Sequence, residues 1–340
     1  MQYARLGESG LIVSRIALGT MTFILKEENA RIPGLAKVGQ DMADDMVARS
    51  LDAGVNFFNS ADVYSSGESE VMLGKALGVR RKDAVIATKL ANRMEPNLIS
   101  VGLSRRWIVR AAEESLKRLG TDYIDVYLFH KIDPYTPMEE TLAAVEQLVK
   151  DGKVRYVGFS NWPAWMTAKA VEIQKQRQYT PFTAGEVYYS LVGRDVENDT
   201  VPQALDAGIG LTPWSPLAGG LLSGKYAAGE SGRLNTFEIA PVDPQVADAT
   251  IIALKQVAEA RGATPAQVAI AWLLTKPAVS SVIIGANKPQ QLDDNIAAAD
   301  VQLTAEDIAR LEAASPAAKP FPIWMMARGR DPKIVEALGY

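Results

Sequence analysis

The feature that most constrains this chain is an alternation. Short apolar runs begin near residues 16, 55, 84, 123, 154, 182, 209 and 282. Segments of helical periodicity lie between and after them, at 42–53, 69–77, 104–119, 138–150, 164–176, 200–207, 244–261, 265–275, 289–299 and 305–314. Several of these stop at a glycine, as at Gly54, Gly78 and Gly120, and Ser104 reads as a helix N-cap. Apolar strands joined by helices have to pair in parallel, with helices covering the sheet. Eight such units predict an α/β fold of the closed (β/α)8 type, the TIM barrel, rather than an open sheet.

The ends of the chain fit around that barrel. Apolar runs at 3–6 and 11–16, split by Gly7-Glu8-Ser9-Gly10, read as a β-hairpin that closes the bottom of the barrel. No Pro/Ser-rich linker divides the 340 residues, so 1–340 reads as one domain. Long loops at 23–41, 90–103 and 217–243 follow strand C-termini, the face where barrels build active sites. The tail, 315–340, carries an apolar aromatic stretch at 319–326. It reads either as a segment packed on the barrel exterior or as a flap near the pocket mouth.

Composition removes many function classes. With 0 Cys and 1 His, thiolate zinc sites, iron–sulfur clusters, cysteine nucleophiles and His-rich metal sites are impossible, and no EF-hand spacing is present. No metal site is expected. Lys plus Arg is 36 against 40 for Asp plus Glu, a formal net charge of −4, which argues against coating nucleic acid. The N-terminal residues lack a basic stretch followed by a long apolar run, and no apolar run approaches the roughly 18 residues of a membrane span. The expectation is a cytoplasmic protein with no membrane or nucleic-acid partner.

Three polar side chains sit where barrel strands end. Lys89 closes one strand, His130 another, and Tyr64 follows a third. Singly, each has an ordinary alternative: the Lys snorkels, the Tyr packs and the lone His is structural. Together they make chemical sense. A phenol can give a proton to a developing alkoxide, a nearby ammonium lowers its pKa, and a neutral imidazole can orient the oxygen. The trio lacks a nucleophile and an electron source, so it suits proton transfer coupled to hydride delivery by a nicotinamide. Residues 219–225 fit GxxxxGK, but Tyr226 stands where a P-loop needs Ser or Thr, so a nucleotide triphosphatase is rejected. No GxGxxG fingerprint is present.

The ordered motifs resemble those of the aldo-keto reductase family, particularly bacterial members related to potassium-channel β subunits. They run from Gly19-Thr20-Met21 through Ala61-Asp62-Val63-Tyr64, Gly67-x-Ser69-Glu70, Thr88-Lys89, 119–125, His130 and 152–155 to Gly158-Phe159-Ser160-Asn161. They continue with 214–220 and 285–295. The resemblance implies a (β/α)8 barrel that binds NADPH across its C-terminal face. It implies Tyr64 as proton donor, Lys89 as the group lowering its pKa and His130 as the substrate-orienting residue. It implies that Ser160 and Asn161 bond the nicotinamide carboxamide and that Trp214 stacks on the ring. Ser215, Leu217, Gly219 and Lys225 then fold over the pyrophosphate. Gly19, Thr20, Met21 and Gly285 line the cofactor path, and Lys288, Gln291 and Asn295 hold the adenosine end.

Two positions depart from the family pattern. Asn59 stands where the family's catalytic tetrad has an aspartate paired with the lysine, and an amide cannot neutralise Lys89. Lys89 would then pull the Tyr64 pKa lower or itself deprotonate. Glu186 stands where the family has Gln at the carboxamide. Its charge near an oxidised ring would be worth about 3 kcal/mol and would favour bound NADP+, unless a neighbouring cation pairs with it. Phe23, Ile24, Trp162 and Trp324 are the expected pocket wall. The expected activity is reversible reduction of an aldehyde or ketone with NADPH/NADP+. The alternative is an NADP(H)-binding sensor or regulatory subunit with weak turnover, and a homo-oligomer is possible in either case.

Overall fold

The computed structural model describes residues 1–31, 34–35, 37–224, 242–326 and 331–339. The barrel strands are β3 (Ile16–Gly19), β4 (Phe57–Asn59), β5 (Val85–Leu90), β6 (Ile124–Phe129), β7 (Val154–Ser160), β8 (Phe182–Tyr188), β9 (Gly210–Trp214) and β10 (Val282–Ile284). Every neighbouring pair from β10 through β3 to β9 is parallel. The ring closes where Leu211 N–H donates to the Ala278 carbonyl at 2.7 Å and the Leu211 carbonyl accepts from Ser280 at 2.9 Å. This is the eight-stranded barrel that the apolar runs predict.

A period of two divides the strands between two layers. Ala17, Phe57, Val85, Ala87, Val126, Leu128 and Ala184 pack together inside the barrel. Their neighbours Leu18, Phe58, Ile86, Tyr127, Phe129 and Val187 join the larger core under the helices. The helices are α1 (Gln40–Asp52), α2 (Glu68–Leu77), α3 (Arg105–Leu119), α4 (Met138–Lys150), α5 (Ala164–Arg177), α6 (Thr200–Asp206), α7 (Pro244–Arg261), α8 (Pro265–Leu274), α9 (Pro289–Ile296) and α10 (Ala305–Ala314). Their ends follow local chemistry. The Ser104 side chain accepts from Trp107 N–H to start α3, and Gly120, left-handed at φ 62°, ends it. Thr264 and Gln267 form a capping box on α8.

The hairpin of β1 (Tyr3–Arg5) and β2 (Ile12–Ser14) seals the N-terminal end of the barrel. Leu6 and Val13 are fully buried in the interior cluster. Glu8 N–H bonds the Gly208 carbonyl, and Ser280 Oγ links Arg5 to Gly7, so the hairpin is tied to the segments that lead into β9 and β10. Two short helices, α11 (Ile323–Met326) and α12 (Pro332–Leu338), lie in the tail, which shows no periodic pattern long enough to predict them. No helix among the described residues is long and apolar enough to cross a membrane.

Candidate active site

The inward-facing register carries the site. Two residues beyond Phe57 comes Asn59, two beyond Ala87 comes Lys89, two beyond Leu128 comes His130, and two beyond Ala184 comes Glu186. The alternation that fills the barrel with apolar side chains thus caps it with four polar ones at the C-terminal end of the strands. Tyr64 enters from the turn after β4. Ser65 and Ser66, which follow it, hold left-handed φ values of 47° and 55°, and Ser65 Oγ donates to the Phe23 carbonyl at 2.7 Å. Such backbone strain persists only where surrounding contacts fix it.

Lys89 is the hub. It is fully buried, and its Nζ donates to Asn59 Oδ1 at 2.8 Å, to the Ser60 carbonyl at 2.8 Å and to Tyr64 Oη at 3.1 Å. Glu186 Oε1 lies 3.3 Å from the same nitrogen. Glu186 Oε2 accepts from Asn59 Nδ2 at 2.7 Å, joining β4 to β8 across the lumen. Burial disfavours the Lys89 ammonium, but the Glu186 carboxylate and the Tyr64 oxygen outweigh it and hold the pKa above the ordinary lysine value. Burial, with help from Glu186 and Asp62, pushes the Tyr64 phenol up against the pull of Lys89. These directions correct the expectation built on Asn59 alone. Lys89 is not left without a counter-ion, because the carboxylate reaches it from β8.

His130 stands edge-on to Tyr64, with ring centroids 5.8 Å apart. Burial, then the nearby Lys89 and Lys131 charges, hold its pKa well below the ordinary histidine value, so the ring is neutral. Asn92 Nδ2 lies 3.0 Å from His130 Nδ1. With the amide donating, Nδ1 is the acceptor and Nε2 carries the proton. Asn92 was not singled out by the sequence. Its one signal is membership of the long loop at 90–103.

A sequence model of the aldo/keto reductase family matches residues 15–316. The chain belongs to that family. It is 34% identical to a versiconal hemiacetal acetate reductase of Aspergillus parasiticus, over 92% of this chain and 96% of that one. It is 37% identical to a probable voltage-gated potassium channel subunit beta of Oryza sativa subsp. japonica, with the same coverage. An uncharacterized oxidoreductase of Bacillus subtilis, YrpG, is 35% identical over 90% of this chain and 93% of its own length. Aldo/keto reductases use nicotinamide cofactors on small carbonyl compounds, and oxidoreduction is the activity class of this chain.

The remaining residues expected in an aldo/keto reductase site fall into four groups. At the ends of β7 and β9, Ser160 is buried, Asn161 Nδ2 donates to Ser160 Oγ at 2.8 Å, and Trp214 Nε1 donates to Asn161 Oδ1 at 3.0 Å. After β9 the chain winds through left-handed Ser215, Ala218, Gly219 and Gly220, with Leu217 between them. Gly219 N–H bonds Ser215 Oγ at 3.1 Å. At the start of α9, Lys288 is exposed at the N-cap, Gln291 Oε1 accepts from Asn287 N–H, and buried Asn295 donates to the Gly285 carbonyl. Lys225 lies outside the described residues. Thr20 is buried and bonded to Ser69 Oγ and the Asn59 carbonyl, bracing β4, while Gly19 lies against Ile283 and Met21 is half-buried.

The four residues expected in the pocket wall have different surroundings. Phe23 is fully buried in the core under the helices, where its backbone pairs with Val38. Trp162 stacks on Phe129 at 5.6 Å and packs on Phe159 and Phe182, and beside Asn161 it also lines a cavity with Val187 and Tyr188. Both rings gain more by leaving water than by facing it. Ile24 is half-buried. Trp324, on α11, is 48% exposed and meets Phe321 edge-on.

Proposed function

We propose that this aldo/keto reductase is an NADPH-dependent carbonyl reductase, working reversibly on an aldehyde or ketone. The observation that carries the reading is the 3.1 Å contact between the buried Lys89 ammonium and Tyr64 Oη, beside a neutral imidazole. When bound, the cofactor supplies hydride to the carbonyl carbon. Tyr64 donates its proton to the carbonyl oxygen. Lys89 stabilises the phenolate left behind, and His130 Nε2–H holds the same oxygen in place.

The donor set suits a nicotinamide dinucleotide. Ser160 and Asn161 offer a hydroxyl and an amide to a carboxamide, and Trp214 offers a half-buried indole face at the same strand ends. Ser215, Leu217 and Gly219 supply a tight turn for a diphosphate, with Lys225 a few residues further along. Lys288, at a helix N-terminus, suits the 2′-phosphate that distinguishes NADPH from NADH. Gln291 and Asn295 brace the loop that holds it.

The test is cofactor absorbance with a panel of aldehydes and ketones plus NADPH or NADH, and alcohols plus the oxidised forms. Tyr64→Phe keeps the ring and loses the proton. It is expected to bind NADPH normally and to lose about 10²- to 10⁴-fold in kcat. Full turnover in that variant would refute the assignment. The likeness to potassium channel β subunits favours a second reading, an NADP(H)-binding regulatory subunit. Tight cofactor retention with negligible turnover on every substrate would select it.

A further inference from the structure

The carboxylate that balances Lys89 comes from an unexpected strand. Among the described residues, Glu186 is the one carboxylate within ion-pair distance of Nζ, at 3.3 Å. Lys89, Asn59 and Glu186 are all nearly or fully buried, so the charge has no water to rely on. Asn59 is shaped for the arrangement. Its Oδ1 accepts from Lys89 and its Nδ2 donates to Glu186, a bridge that an amide makes and an ionised carboxylate cannot. An aspartate at 59 would put a second carboxylate oxygen within 2.7 Å of Glu186 Oε2, where two anions cannot both persist.

We propose that Glu186 is a positioning residue of the active site, supplying from β8 the counter-charge to Lys89 that Asn59 cannot supply from β4, and that positions 59 and 186 form a complementary pair. The exchange of acid and amide between them keeps one carboxylate and one amide around the ammonium. The other titratable groups within reach are Tyr64 and Asp62 from the segment after β4 and His130 from the end of β6. Lys131 acts on His130. Because Lys89 neutralises it, Glu186 presents little net charge to a bound nicotinamide. The inference rests on the reading of Tyr64 and Lys89 as the proton-transfer pair.

The consequences follow by sign. Removing the Glu186 charge while Asn59, the Ser60 carbonyl and Tyr64 still hold Lys89 leaves a cationic pocket, and loss of a proton from Tyr64 becomes easier. Three variants test this: Glu186→Gln, Asn59→Asp, and the two combined. Two readouts are needed. One is tyrosinate absorbance of the cofactor-free protein against pH, taken as the difference from Tyr64→Phe in the same background. The other is the alkaline limb of NADPH-dependent reduction, which requires protonated Tyr64.

Glu186→Gln is expected to move both down by about one pH unit or more. Asn59→Asp alone places two carboxyl groups that share one proton, so the charge beside Lys89 matches wild type and neither readout is expected to move down. The combined variant, with its carboxylate returned to position 59, is expected to come back toward wild type. An unmoved tyrosinate titration in Glu186→Gln, or a combined variant no nearer wild type than Glu186→Gln, would overturn the proposal. Should Glu186→Gln not fold, folding of the combined variant supports the exchange and its failure to fold overturns it. A wild type that turns over no substrate defeats the proposed function alone, since the tyrosinate titration needs neither cofactor nor turnover.

Discussion

At the scale of the residue, the site depends on which charges burial tolerates. Lys89 stays charged because a carboxylate, an amide and a carbonyl surround it, whereas burial, reinforced by the Lys89 and Lys131 charges, keeps His130 neutral. A neutral imidazole at this position can donate from Nε2 without repelling Lys89. Its folded pKa lies below the unfolded value, so the stability it contributes is present above the ordinary histidine range and is lost as pH falls through the folded value. His130 is the sole histidine of the chain, so its imidazole resonances belong to it alone. They are expected to show no titration through the range where a free imidazole protonates. A midpoint at the ordinary value would mean that the ring is hydrated and does not serve as the neutral donor. The residue types of Tyr64, Lys89 and His130 announce this chemistry from the sequence. The Lys89–Glu186 contact does not, because 97 residues separate the two positions and a glutamate at that strand end has both a cofactor and a cation within its reach.

At the scale of the element, the apolar runs and glycine stops locate nearly every strand and helix, because each signal is local. The two left-handed serines after Tyr64 are not legible, since serine is not a residue that demands positive φ and only tertiary contacts impose it there. The same limit applies to Phe23, whose side chain is fully buried in the core under the helices. An aromatic residue next to a strand end has an inward and an outward direction, and packing chooses between them. Gly74 illustrates a third case. It lies inside α2, where helix propensity alone makes alanine better by about 1 kcal/mol. Yet a Cβ at 74 would lie 2.3 Å from the Leu119 carbonyl oxygen, a backbone atom at the end of α3 that cannot turn aside. The helices approach this closely because position 74 has no side chain. Gly74→Ala is therefore expected to destabilise by about 1–3 kcal/mol, the cost of overpacking, against the sign of propensity. Chemical denaturation decides between the two, and a stabilised variant would show that α2 and α3 can move apart freely.

At the scale of the whole molecule, the barrel separates stability from chemistry along its axis. The hairpin plugs one end with Leu6 and Val13, while Tyr64, Lys89 and His130 lie at the other. The apolar layer between them, formed by residues such as Phe57, Ala87, Leu128 and Ala184, is shared by both ends. Leu6 is the sharpest probe of the separation. It is fully buried, and the hairpin backbone around it is pinned by Glu8 to Gly208 and by Gly7 to Ser280. The backbone cannot follow a shortened side chain inward, so a cavity remains. Leu6→Ala is expected to cost about 2–5 kcal/mol of unfolding free energy. Below its own melting transition it should keep wild-type kcat and KM, because the register that aims Asn59, Lys89 and Glu186 is set by strand pairing rather than by the plug. Denaturation and steady-state kinetics on one preparation test both halves. A stability loss with unchanged kinetics supports the division. A fall in kcat in the folded variant would mean that the interior layer transmits strain from the hairpin to Lys89, and that the two ends of the barrel work as one unit.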